Sequence, residues 1–160
     1  MCLTSKSYTI TMMCLMPDKT RDSYDRMFSL LYDYCSEHEL DTQWIGSTFM
    51  TDFEVAMRSS IFMFFPAVNL MACFFHFCQR MVFYMKAAGL QTLNEKDHEF
   101  NSFMRRLNSL PLVPKTRVRE ALQLLEKKAK NQKEVAQKFC SEILDLIVRV
   151  YIDGQYCLDD

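Results

Sequence analysis

The sequence predicts an α/β fold, a parallel core with flanking helices that continues into an all-helical region. Three observations carry this prediction. Tyr8, Ile10, Met12, Cys14 and Met16 alternate along residues 7–16, the period of a strand. Two further short apolar runs, "TQWIGSTFMT" and "VNLMACFFHF", each precede a helical pattern. From residue 94 onward, apolar positions recur at steps of three and four, the mark of helices with one buried face. Strand, helix, strand, helix, strand and then helices imply a parallel core.

In chain order, the strand at residues 7–16 ends at Pro17 and Asp18. Met27, Phe28, Leu31, Tyr34 and Cys35 then share one face of a helix over residues 20–35, whose acidic start suits the helix dipole. A short strand within residues 42–51 is followed by Asp52 and by a helical pattern of Phe53, Ala56, Met57, Ile61 and Phe64. After Pro66, residues 68–77 read as a buried strand, and a helix through Met81, Met85 and Ala88 stops at Gly89. Helices near 94–108, 116–129 and 132–152 follow, the second capped by Thr116 and faced by Val118, Ala121, Leu122 and Leu125.

A chain of 160 residues with 49% hydrophobic content and three glycines can bury a core without metal or disulfide staples. Its seven cysteines are odd in number, and no signal peptide precedes them. Reduced thiols and a nuclear or cytoplasmic, not secreted, location are expected. Residues 61–78 approach the length of a membrane span, but Pro66, Asn69 and His76 interrupt them, so no membrane helix is expected. Charge is uneven. Residues 1–54 hold nine acids and four bases, residues 115–138 eight bases and three acids. The second stretch, with Lys115, Arg117, Arg119, Lys127, Lys128 and Lys130, is a candidate DNA-binding surface, and its competing reading is a solvated helix face.

Asp52 admits two readings. Thr51 and Glu54 have the T-x-x-E spacing of a capping box, which makes Asp52 the polar start of a helix. Alternatively, an acid beyond the carboxyl end of a parallel strand stands where such folds gather their sites, and it can hold Mg²⁺ for phosphoryl chemistry. Cys73 and His76 have a spacing seen in zinc sites. On a regular strand they point to opposite faces, so they converge only where the strand bends into a helix. No phosphate loop, nucleophile elbow or paired metal-protease histidines occur, and His38 and His98 read as exposed helix residues.

The segments "PDKTRDSYDRMF", "TDFEVAM", "FPAVNLMACFFHFCQ", "AGL", "LNSLPLVP" and "VYIDG", in this order, resemble the transposase domain of Mutator-like elements, the MULE family, over residues 7–154. The resemblance implies a ribonuclease H-like fold. It also implies an Asp-Asp-Glu triad that uses Mg or Mn to cut DNA and join element ends to a target. By resemblance, Asp52 matches the second Asp of the triad and is a metal ligand, while Cys73 and His76 match the C-x-x-H signature. Residues 1–90 would be a partial ribonuclease H-like core, and residues 91–160 a helical insertion packed with it as one domain.

The family's first Asp lies in an Asp-Gly-Thr-Phe-like strand upstream of residues 7–16, and its Glu lies in a helix beyond the "VYIDG" segment. Asp18, Asp22, Glu134, Glu142, Asp145 and Asp153 match neither position. The resemblance thus implies a chain truncated at both ends and catalytically incompetent, a transposase fragment or domesticated remnant. The alternative is a non-enzymatic nuclear module that binds DNA or protein through residues 115–138. An edge strand at residues 7–16 would invite self-association.

Overall fold

The structure is a computed structural model that describes residues 12–40 and 47–152. It is mostly helical with one two-stranded sheet. The elements are α1 (Arg21–Glu37), β1 (Thr48–Thr51), α2 (Val55–Phe64), β2 (Asn69–Ala72), α3 (Phe74–Ala87), α4 (Gln91–Lys96), α5 (His98–Asn108), α6 (Val118–Lys130) and α7 (Glu134–Ile147). A π-helical turn, Val148–Ile152, continues α7.

The strands are parallel. Asn69 N–H donates to the Ser47 carbonyl at 2.8 Å and Cys73 N–H to the Thr51 carbonyl at 2.7 Å, both donor and acceptor advancing by four residues. In chain order, α2 connects the two strands, as parallel pairing requires.

The chain divides into two compact units, and the division falls within the strand pair. In the unit that contains Glu54–Asn69, α1 packs on α2. Thr20 caps α1, its hydroxyl accepting from Ser23 N–H, and Asp18 accepts from the Thr20 backbone, the Thr20 hydroxyl and the Ser23 hydroxyl. These bonds, the Ser23 hydroxyl first, hold the Asp18 carboxyl below its ordinary range. Phe28 meets Phe65 edge-on at 5.7 Å and Phe64 at 6.3 Å, and Phe65 stacks on Phe49 at 5.4 Å. The Ser60 hydroxyl, buried on α2, donates to the Asp25 carboxylate of α1.

The second unit, Met50–Phe53 with Leu70 onward, holds the larger core. Its helices bury faces spaced for the purpose: Phe77, Met81 and Met85 on α3, Phe100, Phe103, Met104 and Leu107 on α5, Val118, Leu122, Leu125 and Ala129 on α6, and Phe139, Cys140, Ile143 and Ile147 on α7. Met81 and Leu107 are fully buried, each contributing roughly 1.5–3 kcal/mol of transfer free energy. Burial among these side chains pushes the Cys140 thiol up to about 12. Gly89, at φ +72°, ends α3 through the left-handed conformation that glycine adopts without strain.

Several expectations need correction. Residues 7–11 lie outside the described residues, and residues 12–16 form no strand. Met13 and Leu15 there are almost wholly exposed, so among the described residues no sheet edge exists at that position to support self-association. β1 covers only the end of the strand expected within residues 42–51, whose first residues are likewise undescribed. The run at 68–77 is strand only as far as Ala72, because Cys73 starts α3. The single helix expected at 94–108 is two. Asp97 stays extended and serves as N-cap of α5, ending α4. Thr116 caps nothing: residues 115–117 form a 3-10 turn after Pro114, and Arg117 takes the N-cap position of α6 without a side-chain bond. α7 and the π-helical turn occupy the span of the last predicted helix. Residues 61–78 divide among α2, β2 and α3, and no helix among the described residues is long and apolar enough to cross a membrane.

The Asp97 side chain, 12% exposed, accepts from Lys133 Nζ at 2.6 Å and from Phe100 N–H at 2.9 Å. Lys133 first, and then Phe100, lower the Asp97 pKa below its ordinary 3.8. A carboxyl whose pKa is depressed on folding contributes stability above its unfolded pKa and loses that contribution as pH falls through the folded value. Asp97→Ala is expected to lower the melting midpoint at neutral pH by roughly a few degrees. The difference from wild type should close in melts recorded progressively below pH 3.8.

Candidate functional site

Asp52 directly follows β1 and is half-buried. Both of its neighbours are held. Thr51 is buried, its carbonyl accepts from Cys73 N–H, and its hydroxyl donates to the Asp52 carbonyl at 2.9 Å. Phe53 meets Tyr151 edge-on at 4.9 Å and Phe77 at 6.5 Å, while Phe77 and Tyr151 lie 5.3 Å apart. An aromatic cluster drawn from the loop after β1, from α3 and from the π-helical turn thus fixes the backbone on one side of Asp52, and the sheet fixes it on the other.

The helix does not start where the expected capping box would place it. The N-cap of α2 is Glu54, with no side-chain cap bond. The Glu54 carboxylate instead accepts from the Tyr24 hydroxyl at 3.0 Å and pairs with Lys19 at 3.5 Å. The helix begins at Val55, too late for Thr51 to reach its first amide groups.

Cys73 and His76 occupy the strand-to-helix bend that their convergence requires. Cys73 is the N-cap of α3, and His76 lies in the first turn, three residues on and therefore on the same side of the helix. Cys73 is half-buried and His76 exposed. Through the bond between Cys73 N–H and the Thr51 carbonyl, Asp52 and the C-x-x-H pair leave the same end of the strand pair.

A two-ion centre takes two or three converging acids. Among the described residues, no group of three or more His, Cys, Asp or Glu side chains could hold a metal ion. Among the described residues, then, no three such donors gather around Asp52. Of the other acids weighed against the sequence, Asp18 caps the start of α1, Asp22 lies in its first turn, Glu134 begins α7, and Glu142 pairs with Lys138. Asp145 is exposed on α7, and Asp153 lies outside the described residues.

The basic stretch is dispersed. Lys115 and Arg117 lie in the 3-10 turn, and Arg117 is paired with Glu120 at 3.0 Å. Arg119 is exposed near the start of α6. Lys127, Lys128 and Lys130 cluster in the last turn of α6, where positive charge complements the helix dipole. Lys133 is held by Asp97, and Lys138 lies 3.8 Å from Glu142. His98 and His38 are exposed at helix ends as expected, His38 stacked on Tyr34. The cysteines among the described residues are free thiols.

Tyr151 is the part of the site that spacing did not reveal. Its position in a π-helical turn has no periodic signature, and in the sequence it stands only as one residue of the "VYIDG" segment.

The chain matches the MULE transposase domain over residues 1–80, half its length, and belongs to that family. No curated protein and no solved structure matches it.

Phe77 is buried against both other rings. Phe77→Ala should cost about 3–5 kcal/mol, read as a lower denaturation midpoint in urea.

Proposed function

We propose that the chain carries part of a MULE-type transposase core in which Asp52 keeps the position of the second triad acid. In this chain Asp52 connects β1 to the start of α2. Residues 1–90 are the transposase core, residues 91–160 are its helical continuation, and DNA in the nucleus is the substrate of the lineage. The observation that carries this reading is the placement of Asp52 directly after β1, beside the C-x-x-H pair at the same end of a parallel strand pair. Mg²⁺ or Mn²⁺ is the ion of the family's chemistry. Asp52 alone supplies one of the several ligands that such chemistry needs, and the chain by itself is expected neither to cut nor to join DNA.

The test is direct. Purified chain incubated with supercoiled plasmid and Mg²⁺ or Mn²⁺ is expected to nick no more than a mock preparation, and Asp52→Asn is expected to behave identically. Nicking that Asp52→Asn abolishes would overturn the assignment of incompetence.

A further inference from the structure

Resting on the reading of the chain as transposase-related, we propose that the groove between α5 and α6 is a contact surface for the sugar–phosphate backbone of duplex DNA.

The two helices form an antiparallel hairpin. Residues 110–117 join the end of α5 to the start of α6, and Lys133, just past α6, is bonded to Asp97 at the start of α5. Between them lies a groove of about 510 Å³. His98, Ser102 and Arg105 line it from α5 and Ser109 from its C-cap, at steps of four and three, and Ala121, Leu124, Leu125 and Lys128 line it from α6. The antiparallel arrangement sets His98 and Lys128 towards one end and Arg105 and Arg106 towards the other, with Leu124 and Leu125 between.

No Asp or Glu lines this groove, and among the described residues His98, Arg105, Arg106 and Lys128 form no ion pair. Glu99 lines a smaller adjoining hollow that shares His98, Ser102 and Lys128. Arg105, Arg106 and Lys128 each sit in the last turn of their helix, where the dipole alone favours a cation. The dipole explains their sign. It does not require cations from two helices to converge on a groove without acids, and a polyanion is the charge complement of that arrangement.

Dimensions and lining select the polyanion. The eleven residues of α5 run about 16 Å at 1.5 Å per residue, which matches the rise of roughly five base steps along the axis of B-DNA. Cations at both ends can meet phosphates while sugars lie over the leucines. No Phe, Tyr or Trp lines the groove and His98 stands alone at one end, so it offers no run of stacking platforms for unpaired bases, and the duplex backbone is favoured over a single strand. Contacts of this kind position the protein without reading sequence.

The experiment is fluorescence anisotropy with the full chain and a short labelled duplex of arbitrary sequence, titrated over a range of salt. The triple variant R105A/R106A/K128A should lose at least roughly tenfold in affinity at low salt, and its log–log salt slope should fall by about 2 to 3, near 0.9 per phosphate contact. A triple of equal charge loss on exposed sites outside the groove, R26A/K86A/R149A, should stay close to wild type. Ser102→Glu, which places a carboxylate in the groove, should reproduce the loss, and R105K/R106K should preserve the salt slope. Unchanged binding by the groove triple, equal losses in the two triples, or no binding by wild type would overturn the proposal. So would displacement of the duplex by a polyglutamate peptide that binds the groove more tightly, which would make the surface a site for an acidic protein. Binding through the groove does not depend on nicking, so this proposal and the assignment of Asp52 can fail separately.

Discussion

The hydrogen bond from Cys73 N–H to the Thr51 carbonyl is the constraint on which the candidate site depends. It closes the last rung of the parallel pair. It therefore decides that Asp52, one residue beyond β1, and the Cys73–His76 turn, at the start of α3, emerge together. Parallel strands cannot be joined by a tight turn, so the same bond also commits residues 52–68 to a crossover, which α2 supplies. The sheet is short, and four-residue strands carry few such bonds. The aromatic contacts of Phe53 supply the rigidity that so small a ladder lacks.

The helical part of the second unit derives its order from a different source. Its helices have strong apolar faces and polar remainders, and their boundaries are settled by local chemistry: Asp97 between α4 and α5, prolines 111 and 114 before α6, Gly89 after α3. Asp97 joins two levels of structure, capping its own helix while Lys133 ties it to the far end of α6. The hairpin that results is what brings the cations of two helices to one groove.

Legibility in the sequence followed the strength of the period. The buried faces of α3, α5, α6 and α7 were readable because each repeats over three or more turns. The strands were readable in place but not in extent: β1 and β2 lie within two of the expected runs, yet alternation over four residues is easily extended into neighbouring apolar loop or helix, as at residues 12–16 and 73–77. The ribonuclease H-like core came from resemblance, and the described residues show the coarser fact of a two-stranded parallel sheet among helices. Asp52 was legible as the residue after a strand. The start of α2 was not legible: Glu54 takes the N-cap position while its carboxylate accepts from the Tyr24 hydroxyl, thirty residues earlier, a contact that no local spacing encodes.

The edge-on contact between Phe53 and Tyr151 spans most of the polypeptide. The backbone beside Asp52 thus takes its support from a ring remote in sequence, so a change at Tyr151 would loosen the segment after β1 without touching either the strand or the acid.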